Sequence, residues 1–265
     1  MHTRELFSLT GSVAIVTGGR GLYGASISRG LAEMGATVVI ASRNGTACEA
    51  FAAELRKEGH KAIGLPLDLG NDASIRSLVE EVVTRYSHID ILVNNAVDRQ
   101  NMTSLAAATR QKLQDSVSVN LNGQILLSKA VLEHMIPAKH GSVIFISSMR
   151  GLDCPHFPFY PLAMQDQPVN YTTEKWAMIG LTKYMAGCYG KHHIRVNCIA
   201  PGGYDPGLSD DPEKKEFVET YIKNCPLGCW ATEDDIKGPV VFLASEASHY
   251  VTGATLVMDG GWTIW

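Results

Sequence analysis

A short apolar run, Val13-Ala14-Ile15-Val16, breaks into Thr17-Gly18-Gly19-Arg20-Gly21-Leu22-Tyr23-Gly24 and then into a helical pattern that lasts through Met34. Few stretches restrict a chain more. A buried strand that ends in closely spaced glycines and starts a helix brings backbone N–H groups, and the positive end of the helix, against a pyrophosphate. Gly19, Gly21 and Gly24 make the pattern G-x-G-x-x-G. That pattern says little by itself, but set between strand and helix in a first βαβ unit it points to a bound dinucleotide.

The rest of the chain keeps the same alternation. Strands are expected at Thr37–Ala41, Ala62–Leu67, Ile89–Val93, Ser142–Ile146, Ile194–Ile199 and Thr255–Met258. Helices are expected at Ala47–Lys57, Ala73–Tyr86, Tyr171–Tyr189, near Glu213–Lys223 and near Asp235–Ala244, with a long helical region from Ser104 to Met135. Strands alternating with helices give an α/β fold, a Rossmann-like doubly wound parallel sheet of about seven strands with helices on both faces. No repeat or linker divides it, so residues 1–265 read as a single dinucleotide-binding domain. Within it, 149–170 forms a loop beside the substrate and 203–232, polar and rich in Pro and Gly, forms a lid.

Composition narrows the partners. A formal net charge of −4 with no basic stripe argues against nucleic acid. No apolar stretch reaches spanning length and the N-terminus does not read as a secretory signal, so no membrane is expected and the location is cytoplasmic. The six cysteines are scattered without CxxC pairs. Cys225 and Cys229 lack a matching second pair, so no metal site is expected.

Ligands of a parallel sheet sit beyond the carboxyl ends of its strands. Asp68 and Leu69 after the third strand, and Asn94-Asn95-Ala96 after the fourth, therefore belong with the Gly-rich turn on the cofactor side, as do Pro201-Gly202-Gly203 after the sixth. Where an NAD site places an acid for the ribose 2′-hydroxyl, this chain has Ser42-Arg43-Asn44. With no carboxylate to repel it, a 2′-phosphate can sit against Arg43, helped by Arg20. NADP(H) is favoured and NAD(H) stays open.

Tyr171 and Lys175 are one helical turn apart and share a face. A free phenol titrates near ~10, and lowering that by ~3 units takes roughly 4 kcal/mol, which a fixed ammonium can help supply. Ser148, at the end of the run Val143-Ile144-Phe145-Ile146, offers a hydroxyl to the same substrate oxygen. Ser, Tyr and Lys together suit proton transfer in carbonyl–alcohol interconversion. Asn120, inside the long helical region, reads locally as an exposed residue of poor helix propensity.

These residues come in the order and approximate spacing of the short-chain dehydrogenase/reductases, which the chain resembles from Leu9 to Asp259-Gly260-Gly261. The resemblance implies an NAD(P) Rossmann fold with Tyr171 as acid/base. It implies that Ser148 polarises the substrate oxygen, that Lys175 lowers the Tyr171 pKa and holds the nicotinamide ribose, and that Asn120 supports a proton-relay water. It also implies a homotetramer or homodimer built on two long helices and the last strand, with the apolar tail Trp262–Trp265 at a subunit interface.

The chain departs from the family pattern in four places. Gly21 comes one residue early, with Leu22 where the middle glycine usually stands. Val97 replaces the glycine that ends the Asn-Asn-Ala motif, and the threonine that commonly holds the carboxamide is not evident after Gly203. Tyr171 follows Ser148 by 23 residues, a longer interval than in many relatives. The inserted segment is aromatic and Pro-rich, and Arg150, His156, Tyr160, Met164 and Tyr204 are its candidate pocket residues together with the start of the lid. Aromatic faces beside polar groups suit a polyhydroxylated small molecule. At subfamily level the loop and the Gly-Gly-Trp-Thr-Ile-Trp ending resemble sugar and sugar-acid dehydrogenases of the gluconate 5-dehydrogenase kind. The expected activity is therefore NAD(P)-dependent interconversion of a secondary alcohol and a ketone on a sugar, sugar acid or polyol. The alternatives are reduction of a 3-oxoacyl thioester on the same scaffold, or NADP(H) sensing without turnover.

Overall fold

The computed structural model describes residues 2–160, 165–205 and 207–264. Among these, seven strands form one parallel sheet in the order β3-β2-β1-β4-β5-β6-β7. They are β1 (Val13–Thr17), β2 (Thr37–Ser42), β3 (Lys61–Pro66), β4 (Ile91–Asn94), β5 (Gly141–Ile146), β6 (Ile194–Pro201) and β7 (Thr255–Met258). Every residue of β1, β4 and β5 is buried. A parallel sheet covered on both faces leaves no solvent side, and so its central strands are continuous apolar runs.

The helices are α1 (Thr3–Leu6), α2 (Leu22–Glu33), α3 (Gly45–Lys57), α4 (Asp72–Tyr86), α5 (Arg110–Val117), α6 (Gln124–Ala138), α7 (Val169–Tyr189), α8 (Lys215–Asn224) and α9 (Lys237–Ala244). One core layer packs Ile27 and Leu31 of α2, Leu55 of α3 and Val240 and Leu243 of α9 on one sheet face. The other packs Leu78 and Val82 of α4, Leu127 and Val131 of α6 and Met185 of α7 on the opposite face. β1 lies between β2 and β4, so the strand order reverses there and a crevice opens beyond the carboxyl ends of both.

The expected long helix from Ser104 to Met135 is interrupted. Helical structure starts only at Arg110, where the Thr109 hydroxyl accepts the Lys112 N–H at 3.3 Å and caps α5. Between α5 and α6 the chain widens into a π-helical turn, Ser118–Gly123, that carries Asn120. Gly123 presses so closely on the loop after β3 that a Cβ there would stand 2.2 Å from the Leu69 carbonyl oxygen.

Candidate active site

The Gly-rich turn is shaped by contacts that only small residues allow. Gly18 has φ +62, and a Cβ on Gly24 would lie 2.0 Å from the Gly18 carbonyl oxygen. Gly19 packs under the turn, where Ser28 donates to its carbonyl at 2.8 Å. Gly21 begins α2 with no side chain capping the first N–H groups, and its Cβ direction is open, the nearest atom being 3.5 Å away. Uncapped N–H groups of a twelve-residue helix facing a crevice fit a pyrophosphate. Asn95 ties the turn to β4: its amide donates to the Thr17 and Gly18 carbonyls at 3.0 and 3.2 Å.

A cleft of about 640 Å³ runs past this turn, lined by Gly18, Gly21, Leu22, Tyr23 and Gly24 on one side and by Ser148, Tyr171 and Lys175 on the other. Pro201, Gly202 and Tyr204 close one end, and Arg99 and Leu208 complete the wall. Beyond Gly18 a smaller hollow of about 150 Å³ lies among Ser42, Arg43, Asp68, Leu69, Ala96, Val97 and Asp98. Arg43 is exposed at its rim, while Asn44 uses its side chain to cap α3 through the Ala47 N–H at 2.9 Å. Arg20 is exposed on the turn. Asn94 lies behind the cleft, donating to Ser128 at 3.0 Å. Gly203 faces away: its N–H donates to the Tyr221 hydroxyl at 2.7 Å and a Cβ there would meet the Trp230 ring at 2.2 Å.

β5 delivers Ser148 and α7 delivers Tyr171 and Lys175, so the strand end and the helix start meet at the cleft floor. The Ser148 oxygen accepts the Arg150 N–H at 3.1 Å, which leaves its proton for the Tyr171 oxygen. Burial pushes the Tyr171 phenol above its ordinary range, while the Ser148 hydroxyl and the charges of Arg99 and Arg150 pull it back. With the chain's own groups the net direction is upward, opposite to the expectation that Lys175 holds it low, because desolvation outweighs the surrounding charge. Lys175 is 3% exposed and burial lowers its ammonium to about 8. Its Nζ donates to the Ile146 carbonyl at 2.7 Å and stands 5.5 Å from the Tyr171 ring centroid.

Asn120 is 1% exposed rather than on the surface. Its amide oxygen accepts the Asp98 N–H at 2.6 Å, and its Nδ2 donates to Glu174 at 2.8 Å with longer contacts to Ser116 and the Asp98 carbonyl. Both hydrogens and the oxygen are engaged. The amide therefore holds the π-helical turn in place.

Among the candidate substrate residues, Tyr204 lines the cleft, with its ring 4.9 Å from that of Tyr23. Arg150 is buried within the loop it begins, donating to the Cys154 carbonyl at 3.0 Å and to the Tyr160 hydroxyl. Tyr160 stacks on Phe217 of α8, and His156 is exposed against Phe159. None of these three is among the residues that line the cleft. Met164 lies outside the described residues. Trp262 is buried within its own chain, stacked 4.3 Å from Tyr221, which is itself 3.7 Å from Trp230. Trp262 thus joins the stack formed by Tyr221 and Trp230, and Ile264 is 70% exposed.

Sequence reasoning missed Arg99, Asn170, Glu174 and Ser116. Asn170 and Glu174 repeat the four-residue spacing of Tyr171 and Lys175 one position earlier, and that doubled spacing was the available signal. Among the described residues no group of three or more His, Cys, Asp or Glu converges on a metal-sized site, and no helix is long and apolar enough to cross a membrane.

Known proteins agree with this architecture. The adh_short_C2 family model, described as enoyl-(acyl carrier protein) reductase, matches residues 20–263. The chain is 32% identical over 265 residues to the gluconate 5-dehydrogenase of Gluconobacter oxydans, covering 100% of this chain and 99% of that one. It is 32% identical to the D-threitol dehydrogenase of Mycolicibacterium smegmatis, covering 97% and 95%. Among solved structures it is similar to a gluconate 5-dehydrogenase from Burkholderia cenocepacia in complex with NADP and tartrate, with a TM-score of 0.88, 34% identity and 100% of both chains covered. A glycine-lined crevice that meets a Ser–Tyr–Lys cluster, on a sheet shared with these relatives end to end, places the chain in the short-chain dehydrogenase/reductase family of NAD(P)-dependent oxidoreductases.

Proposed function

We propose that the protein interconverts a secondary alcohol and a ketone on a sugar acid, sugar or polyol, with NADP(H) as the favoured carrier. The observation that carries this reading is the convergence of Ser148, Tyr171 and Lys175 on the same cleft wall opposite the Gly-rich turn. When bound, the dinucleotide supplies hydride exchange at the nicotinamide. The chain's own groups handle the proton: Tyr171 gives it to, or takes it from, the substrate oxygen, and Ser148 donates a hydrogen bond to that same oxygen. Lys175 sits beside both as a buried cation. Asn120 serves this site by fixing the helix turn behind it.

A cation in the cleft wall supports a hydroxylated acid. Arg99 lines it with no carboxylate paired to it among the described residues, and its charge is felt at Tyr171 and Lys175. The relatives named for gluconate and threitol agree in substrate chemistry. Arg43, exposed at the rim of the smaller hollow whose wall also carries Asp68 and Asp98, is the cation that supports NADP(H), and NAD(H) remains the second carrier. Residues 149–170 act as substrate wall and 203–232 as lid over one domain. A homotetramer or homodimer in the cytoplasm fits the exposed Leu113, Ile125, Leu126, Trp176 and Val257 on α5, α6, α7 and β7.

The test is a panel of sugar acids, sugars, polyols and a 3-oxoacyl thioester, followed by nicotinamide absorbance with wild type and Tyr171→Phe. Turnover of an acid or polyol that Tyr171→Phe loses supports the reading. Turnover of the thioester alone replaces it with the acyl reductase, and cofactor binding with no turnover of any panel member replaces it with the sensor.

A further inference from the structure

Beside its Tyr171–Lys175 face, α7 carries Asn170 and Glu174, 2% and 3% exposed. A carboxylate is rarely this buried without a cation in contact. Glu174 forms no ion pair among the described residues. Two neutral groups hold it instead: the Ser116 hydroxyl at 2.6 Å and Asn120 Nδ2 at 2.8 Å.

Its surroundings suit an ionised carboxylate. The Ser116 oxygen accepts from Asn170 Nδ2 at 2.8 Å, and its hydroxyl lies 2.6 Å from one Glu174 oxygen. Asn120 presents a donor because its amide oxygen is taken by the Asp98 N–H. Each Glu174 oxygen thus faces one donor group, the arrangement that suits an ionised carboxylate. Burial, the largest influence, raises its pKa overall, with the Asp98 charge adding to it and Ser116, Asn120 and Lys175 pulling against it.

Lys175 follows directly in the chain. Burial lowers its ammonium, Cys198 from β6 and Glu174 from α7 raise it, Arg99 from the loop after β4 lowers it, and the Tyr171 ring stands 5.5 Å away. Burial pushes the Cys198 thiol up to about 11, so it is neutral. Of these groups Glu174 is the carboxylate. Because it and Lys175 are not in contact, the ammonium is not drawn away from the cleft.

We propose that Glu174 is a positioning residue for the Tyr171–Lys175 pair: its buried carboxylate pins the π-helical turn to α7 through Ser116 and Asn120, and from behind it keeps Lys175 cationic. The proposal rests on reading Tyr171 and Lys175 as the acid/base couple. It goes further by naming the charge that sustains that couple.

Two measurements on Glu174→Gln and Glu174→Asp test it. The first needs no turnover: a ¹³C NMR titration of lysine-labelled protein, the Lys175 signal identified by its loss in Lys175→Met. In Glu174→Gln the Lys175 midpoint moves down by about one pH unit, and in Glu174→Asp it stays within about 0.3 unit of wild type. An unmoved midpoint in Glu174→Gln overturns the proposal whatever the substrate. The second is the pH profile of kcat. Glu174→Gln loses about fivefold at pH 8, its alkaline limb shifted by the same unit and substrate KM within about threefold, and Glu174→Asp recovers most of the rate. A loss of kcat that is uniform in pH means packing alone and also overturns it. Should Glu174→Gln not fold, Glu174→Met, similar in volume and without charge, is titrated in its place, and an unmoved Lys175 midpoint is contrary evidence. Wild type that turns over no sugar acid or polyol refutes the functional reading and leaves the lysine titration as the test.

Discussion

Lys175 Nζ stands 5.5 Å from the centre of the Tyr171 ring and gives its hydrogen bond to the Ile146 carbonyl, 2.7 Å away. The ammonium is thus held by the end of β5, the strand that also brings Ser148. The phenol, the ammonium and the hydroxyl share one corner where β5 and α7 meet, so two regular elements align them.

Removing the phenolic oxygen isolates its role. Tyr171→Phe keeps the ring and its packing, so NADP(H) affinity measured by fluorescence stays within about threefold while kcat falls about 10³-fold. A variant that retains a tenth of wild-type turnover contradicts the assignment.

Lys175 costs stability at neutral pH. Its folded pKa, about 8, lies below the unfolded value of 10.5, so the unfolded state holds its proton more tightly. The penalty is complete below pH 8, roughly 3 kcal/mol, and it fades as pH rises from 8 to 10.5. Lys175→Met therefore melts a few degrees higher than wild type at pH 7, the gain shrinking by pH 10, while turnover is lost. Calorimetry at both pH values checks this, and a variant less stable at pH 7 would refute it.

The glycines of the turn are not equivalent. Gly24→Ala drives a methyl into the Gly18 carbonyl and the Asn95 amide, so the variant loses cofactor binding and much of its stability. Gly21→Ala meets nothing closer than 3.5 Å and keeps the melting temperature within about 2 °C. Paired melting curves with and without NADP⁺ distinguish the two.

Cation placement predicts two selectivities. Arg43→Ala lowers the NADPH-over-NADH ratio of kcat/KM by about tenfold, the worth of one charge-assisted hydrogen bond to a phosphate. Arg99→Met raises KM about tenfold for a sugar acid and leaves a neutral polyol unchanged. Equal effects on acid and polyol would remove Arg99 from carboxylate recognition.

What the chain's order of residues settled alone was local and steric. Apolar runs and their spacing specified a parallel sheet, glycine placement specified a turn that only a missing Cβ permits, and a four-residue interval put Tyr171 and Lys175 on one face. None of these needs a distant partner. Folding decided what depends on burial and on residues far apart in sequence. Asn120 left the surface because Asp98 and Glu174, 22 and 54 residues away, close around its amide. Arg150 turned inward because the inserted loop supplies a carbonyl and a phenol to meet it, and Trp262 found Tyr221 and Trp230 within its own chain. The direction of the Tyr171 shift was likewise invisible in spacing, since desolvation is a property of the packed cleft and not of the helix that carries the phenol.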